Sequence, residues 1–245
     1  MAVTIAFVVQ KGGTGKTTTT NITAELLHKK GARVLVVDLD PQNNLSHSVG
    51  VNNPETSICD VLTDSITIDK AIYKSQSGYA VLPASRKLFE HQADIAATSL
   101  AKHLEPLQAL FDYILIDCPP ALSSLSINGI MAADKIVIPV IPGNFCDLAV
   151  ADTLRTISTL QQDGHKVQTA GILIITFNNR STLDRYMLEQ YESIAKEHST
   201  KVFSTKIRQC QKIKEAQVLG KSLLDYAPKS NAVVDYKAFV KELTE

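Results

Sequence analysis

The stretch VVQKGGTGKTTTT, residues 8–20, constrains this chain more than any other part of it. An apolar run, Val3–Val9, feeds a glycine-rich turn, and a helical pattern begins at Lys16. Strand, glycine loop and helix in that order are the context in which G-x-x-x-x-G-K-[ST] cradles phosphates. Gly12, Gly13 and Gly15 let the backbone curl, so that the N–H groups of the loop, Thr14 among them, converge on an anion. The helix that starts near Lys16 adds its positive dipole end. Lys16 supplies a point charge for the β- and γ-phosphates, Thr17 offers a hydroxyl to Mg2+, and Thr18 reaches the α-phosphate. The pattern is broken at one place. Gln10 stands where the first glycine is expected, and a second lysine, Lys11, follows it.

Two acidic strand ends accompany the loop. VLVVDLDPQ carries Asp38 and Asp40, two residues apart, which on an extended chain point to the same side. They stand at the carboxyl end of their strand, where open α/β sheets bind ligands. YILIDCPP runs four apolar residues up to Asp117, which suits an acid holding a Mg2+-bound water. Each aspartate alone is a weak signal. In this order behind a phosphate loop they point to nucleotide chemistry.

Short apolar runs alternate with longer amphipathic ones along the whole chain. Val3–Val9, Arg33–Asp38, Tyr113–Asp117, Lys135–Ile141 and Gly171–Thr176 read as buried parallel strands. Tyr79–Leu82 and Lys201–Ser204 are weaker strand candidates. Helices are expected over Lys16–Lys30, Leu88–Ala109, Leu122–Ala132, Asp147–Gln162, Leu183–His198 and Ala232–Leu243. Residues Val49 to Gln76, punctuated by Asn, Pro, Ser and Thr, read as short helices and loops. The alternation implies βαβ units: a doubly wound, mostly parallel sheet with helices on both faces, in one P-loop domain over residues 1–245.

Composition narrows the function classes. Twenty-five Lys and Arg balance 25 Asp and Glu, so nucleic-acid contact has to come from a local patch. The opening MAVTIAFVVQ is too short and uncharged for a secretory signal, and no apolar run approaches the roughly 18 residues of a membrane span. Cys59, Cys118, Cys146 and Cys210 are scattered without a C-x-x-C pair and read as reduced thiols.

KGGTGKTT, DLDPQNN and DCPPALSSLSINGIMAAD resemble the deviant Walker A ATPases, and within them the ParA/Soj partition proteins. The resemblance extends to EAQVLGKSLLDYAPKS, which is similar to the family's EAPS-GKPI--YDP-S stretch, and so covers nearly the whole chain. It implies an ATP/ADP- and Mg2+-dependent ATPase of the short form, without a separate helix-turn-helix domain before Val3. It implies that Lys11 is the family's signature lysine, reaching the nucleotide of a second subunit in an ATP-dependent homodimer. Asp40 matches the residue that orients the attacking water, and Asp38 is a supporting acid of the Mg2+ shell beside Thr17 and Asp117. Asn178 and Asn179 match the region bordering the adenine. Two stretches depart from the pattern. IRQCQKIKEAQ stands for the family's IPRNVRLSEAP, which puts Arg208 at its proline, Gln209 at its first arginine and Lys212 at its second. NFCD at Asn144–Asp147 stands where relatives often have EYYA.

Between Lys201 and Lys221 the chain carries Lys201, Lys206, Arg208, Lys212, Lys214 and Lys221 against Glu215 alone. Such a run is often a solvated helix face. The resemblance instead implies non-specific binding of double-stranded DNA by Arg180, Lys206, Arg208 and Lys212. It also implies a ParB-type centromere-binding partner and a cytoplasmic, nucleoid-associated protein that does not engage a membrane. Three other functions share parts of this pattern. A MinD-like membrane switch uses a basic amphipathic C-terminal helix, whereas VVDYKAFVKELTE has mixed charge and ends acidic. A nitrogenase-reductase-like protein needs cysteines in a glycine-flanked cluster motif, which none of the four has. A nucleotide-binding protein without turnover fits poorly with Lys16, Thr17, Asp40 and Asp117 all in place.

Overall fold

The structure is a computed structural model, and it describes residues 1–143 and 146–245. Its frame is a seven-stranded sheet. The strands are β1 (Val3–Phe7), β2 (Val34–Asp38), β3 (Tyr73–Lys74), β4 (Ala80–Leu82), β5 (Tyr113–Asp117), β6 (Lys135–Val140) and β7 (Gln168–Ile174). Their order across the sheet is β3-β4-β2-β5-β1-β6-β7, and only the β3–β4 pair is antiparallel. The helices are α1 (Lys16–Lys29), α2 (Asn44–Ser48), α3 (Ile58–Leu62), α4 (Leu88–His91), α5 (Ser99–Leu104), α6 (Ser124–Met131), α7 (Cys146–Gln162), α8 (Thr182–Glu197), α9 (Gln211–Val218), α10 (Leu223–Tyr226) and α11 (Asn231–Thr244).

The strands are apolar on both faces because both faces are covered. Ala6 of β1, Leu35 and Val37 of β2 and Ile114 and Ile116 of β5 point into one core, closed by α3, α5, α6, α7 and α8. Ile5 and Phe7, Val34 and Val36, and Leu115 alternate with them and point into the other, closed by α1, α2, α9, α10 and α11. After β1 the chain winds outward through β2 and β4, returns to β5 beside β1, then crosses to β6 and β7 on the far side. The direction of winding therefore reverses at β1. The loop after β1 lies at the switch point where doubly wound sheets bind ligands.

Two expectations are corrected. The helix expected over Leu88–Ala109 is divided into α4, α5 and a 3-10 turn at Glu105–Leu107. Asp94 and Ala96–Thr98 interrupt it, and Asn128 of α6 accepts from the Leu100 N–H and donates to the Ala96 carbonyl, so tertiary partners replace the helical ones. The Lys201–Ser204 run is no strand but a single bridge, Val202 to Ile172. Within the basic stretch from Lys201 to Lys221, α9 covers Gln211–Val218.

The C-terminal helix expectation holds, with α11 running Asn231–Thr244. Ser230 caps it by accepting from the Val233 N–H. Val233, Tyr236, Phe239, Val240 and Leu243 are buried in the α1-side core. The apolar face of α11 is thus packed inside the fold. Among the described residues, no helix is long and apolar enough to cross a membrane.

Candidate functional site

The loop between β1 and α1 is anchored at the position that breaks the usual pattern. The Gln10 backbone N–H donates to Thr153 Oγ1 at 3.2 Å, and its side-chain amide donates to Thr156 Oγ1 at 3.1 Å. Both threonines belong to α7, so the residue replacing the expected glycine straps the loop to a neighbouring helix. Lys11 Nζ donates to Cys146 Sγ at 3.1 Å, at the first turn of that helix. Gly13 and Gly15 hold φ of 72° and 78°. Gly15 is the N-cap of α1; its left-handed backbone requires glycine, and a Cβ there would also push the Ile175 Cδ1 methyl aside.

Lys16 is buried, and its ammonium donates to the carbonyls of Lys11 (2.8 Å) and Val9 (3.2 Å). Burial lowers its pKa, opposed by the charges of Asp117, Cys118 and Asp40. Thr17 Oγ1 donates to Asp117 Oδ2 at 2.7 Å. Among the described residues, Asp117 Oδ1 is buried with no hydrogen-bond partner. Burial, then Asp38, raise the Asp117 pKa well above the ordinary carboxylate value, and the Thr17 hydrogen bond and Lys16 only partly offset this.

The alternation of β2 carries on one step past its end: Leu39 packs in the same core as Leu35 and Val37, and the charge of Asp40 acts on Asp38 and on Lys16. The strand ends at Asp38, whose carboxylate is fully buried. Its Oδ2 accepts from the Ser46 N–H (2.9 Å) and Oγ (2.7 Å), and its Oδ1 accepts from the Asp40 N–H (3.1 Å). Burial pushes its pKa up to about 6 against those hydrogen bonds. Asp40 lies past the strand end, half-buried, with Oδ1 accepting from the Gln42 N–H at 3.0 Å. Asp38 therefore fixes the turn that presents Asp40.

The loop opens on two clefts. One, of about 570 Å3, is lined by residues 12–18 together with Asp40, Gln42, Pro120 and Gln217. Its size and its ring of N–H, hydroxyl and ammonium donors suit a polyphosphate. The oxygens of Thr17 and Asp117 suit a hard divalent cation of the Mg2+ class, and the orphaned Asp117 Oδ1 is an acceptor that such an ion or its water would satisfy. The other cleft, about 210 Å3, joins Gly13, Gly15 and Thr18 to the apolar side chains of Ile175, Ile207, Ile213 and Tyr236.

Asn178 and Asn179 line neither of these. They share a third cleft, about 700 Å3, with Arg180, Lys206 and Arg208. Arg208 and Gln209 line both the second and the third. The Arg208 guanidinium is engaged, since Nε and Nη2 bind the Asp235 carboxylate at 2.9 and 2.7 Å. Lys206 Nζ donates to the Ser204 carbonyl at 3.2 Å. Lys212 pairs with Glu215 at 2.8 Å and lies over the Tyr226 ring. Of the Asn144–Asp147 stretch, Asn144 and Phe145 lie outside the described residues. All four cysteines are free thiols.

Several residues at the site carried no signal in the sequence. Ser46 follows Asp38 by eight positions in an ordinary polar stretch. Gln217 reaches the loop from a helix nearly 200 residues away in sequence, donating to Thr18 Oγ1 at 2.9 Å. Ile175, Ile207 and Tyr236 look like any other core residues.

A family model described as an AAA domain, AAA_31, matches residues 2–170. The sporulation initiation inhibitor protein Soj of Bacillus subtilis is 32% identical over 248 residues, covering 98% of this chain and 97% of that protein. The fold is similar to that of apo McdA from Cyanothece, with a TM-score of 0.89, 26% identity and complete coverage of both chains. It is also similar to cobyrinic acid a,c-diamide synthase from Mycobacterium smegmatis with bound ATP analogue and magnesium, with a TM-score of 0.85, 29% identity, and 98% and 93% of the two chains covered. With the AAA model over residues 2–170 and a Soj protein matched nearly end to end, the chain belongs to the ParA/Soj family of P-loop partition ATPases.

Proposed function

We propose that this chain is a DNA-partition switch driven by MgATP, acting as one ATPase domain over residues 1–245. The observation that carries the reading is the arrangement at the loop. Thr17 and Asp117 are joined at 2.7 Å with a spare buried carboxylate oxygen, beside the buried Lys16 and a cleft sized for a triphosphate. Residues 12–18 bind the phosphates, and Lys16 exchanges its two carbonyl partners for phosphate oxygens. Thr17 and Asp117 hold Mg2+, with Asp38 behind them. When bound, the ion neutralises charge on the β- and γ-phosphates. Asp40, presented by Asp38, orients the attacking water. The apolar cleft beyond Gly15 accepts the adenine, with Asn178 and Asn179 near its outer edge across Arg208 and Gln209.

Lys11 leaves Cys146 to reach the nucleotide of a second copy, which makes the homodimer ATP-dependent. Arg180 and Lys206, gathered in one cleft, and Lys212 on α9 contact duplex phosphates without reading sequence. Arg208 adds the exposed face of its guanidinium. Two copies double this patch, so nucleotide state sets DNA affinity through avidity. A ParB-type centromere-binding protein accelerates hydrolysis and releases the DNA. The protein acts in the cytoplasm on the nucleoid, and the packed face of α11 disfavours a membrane-anchored role.

The direct test compares Lys16→Ala with Asp40→Ala. Removing the phosphate counter-charge weakens ATP binding by about 100-fold or more. Removing Asp40 leaves binding intact and abolishes turnover. Equal loss of nucleotide affinity in both variants would overturn the role given to Asp40.

A further inference from the structure

The phosphate loop has a second support, on the side away from α7. Helix α9 lies over the start of α1, and Gln217, near its end, donates from Nε2 to Thr18 Oγ1 at 2.9 Å. The Gln217 side chain borders the phosphate cleft and the apolar cleft alike. The helix that carries it is fixed from behind. Ala216 is buried in the α1-side core, and Tyr226 of α10 donates to Glu215 at 2.8 Å.

A threonine hydroxyl has one proton to donate and two lone pairs. Since Thr18 Oγ1 accepts from Gln217, its single O–H remains to be directed elsewhere. A phosphate oxygen can only accept. The two bonds are therefore compatible and mutually reinforcing: amide to hydroxyl, hydroxyl to phosphate. With an acceptor at position 217, the hydroxyl proton would instead be drawn toward α9 and away from the cleft.

We propose that Gln217 is a positioning residue for the nucleotide, acting through Thr18: its amide fixes the Thr18 hydroxyl as a donor to the α-phosphate and so couples α9, which carries Lys212 and Lys214, to nucleotide occupancy. This rests on the assignment of the loop as the MgATP site. Coupling of this kind is reciprocal, so duplex DNA bound on α9 tightens nucleotide binding through the same bond.

The test measures MgATP and MgADP binding by calorimetry, and steady-state turnover, for wild type, Gln217→Glu, Gln217→Met, Thr18→Val and the double variant Gln217→Met/Thr18→Val. Gln217 is exposed, so both of its substitutions leave the core untouched. Gln217→Glu keeps the shape, reverses the hydrogen-bond direction and adds a negative charge. It is expected to weaken both nucleotides by about tenfold, raising KM while kcat changes little. Gln217→Met is expected to cost about three- to fivefold in wild type and nothing in the Thr18→Val background. Wild-type affinity in Gln217→Glu, or equal effects of Gln217→Met with and without the Thr18 hydroxyl, would overturn the inference. A wild-type protein that binds neither nucleotide would instead overturn the site assignment, which separates the two failures.

Discussion

Asp38 and Asp117 stand at the same register position on the neighbouring strands β2 and β5. Burial raises the pKa of both carboxylates, and the charge of Asp38 raises that of Asp117 further. The pair thus holds negative charge at a cost that a bound cation would offset.

Replacing Asp117 by Asn removes one charge of this pair while its amide oxygen still accepts from Thr17. The variant is expected to unfold at a higher temperature than wild type without nucleotide, by about 2–4 °C for each kcal/mol relieved. MgATP should raise the wild-type midpoint and leave that of the variant nearly unchanged, since stabilisation by a ligand follows its affinity. Thermal unfolding with and without MgATP checks this. A variant less stable than wild type in the absence of nucleotide would mean the carboxylate pair imposes no such cost.

The parts of this molecule that repeat a local rule were legible in its sequence. Val3–Val9 into Gly12–Gly15 into Lys16 reads as strand, loop and helix because each step follows from side-chain pattern and glycine alone. Asp117 is legible for the same reason, at the end of four apolar residues. The two-residue spacing of Asp38 and Asp40 is legible too, since Leu39 keeps the alternation of Leu35 and Val37, but the Ser46 N–H that holds the Asp38 carboxylate is not, because it comes from an ordinary polar stretch eight positions on. The single Leu88–Ala109 helix fails because the Asn128 side chain that interrupts it comes from another helix. Gln10, Cys146 and Gln217 act through partners more than 100 residues away in sequence, which no periodicity records.

Lys11 lies against Cys146 in the single chain, so reaching a second subunit requires leaving that sulfur. Lys11→Ala is expected to bind ADP as wild type does, because Lys16, Thr17 and the loop amides are unchanged. It should fail to dimerise with ATP. Cys146→Ala should keep the lysine and remove one interaction that holds it back, so ATP-dependent dimers form at equal or lower protein concentration. Light scattering across a concentration series reads both, and wild-type dimerisation in Lys11→Ala would refute the cross-subunit role.

Glu242 of α11 accepts the N–H groups of Ser204 (2.7 Å) and Thr205 (3.0 Å). Burial pushes its pKa up, and the hydrogen bonds from Thr205 and Ser204 outweigh this and hold it below the ordinary 4.5. For an acid lowered by folding, the stabilisation is present above the unfolded value and is lost as pH falls through the folded one. Glu242→Gln is therefore expected to cost about 1 kcal/mol near neutral pH. The gap should close as the pH falls below 4.5. Urea unfolding of both proteins across that range measures it, and a gap independent of pH would assign the loss to packing.

The cations proposed to meet DNA differ in how readily they can do so. Arg208 is clamped by Asp235 through two short bonds, and Asp235 is itself nearly buried, so removing this arginine would strand a carboxylate at the α11 surface. Lys212 pairs with Glu215 on its own helix, in an exposed i,i+3 pair that contributes little and yields readily to a phosphate. Replacing Arg180, Lys206 and Lys212 together by Ala should accordingly weaken duplex binding regardless of sequence while the fold and the phosphate loop remain intact. Every DNA phosphate left without its cation takes about 0.9 from the slope of log affinity against log salt, so the slope should flatten by up to about 2.7. Fluorescence anisotropy with random-sequence duplex at several salt concentrations, with ATP and with ADP, measures this. ATP binding and ATP-dependent dimerisation should match wild type in the same preparations. Wild-type affinity and slope in the triple variant would make the basic stretch a solvated face and move DNA binding elsewhere on the molecule.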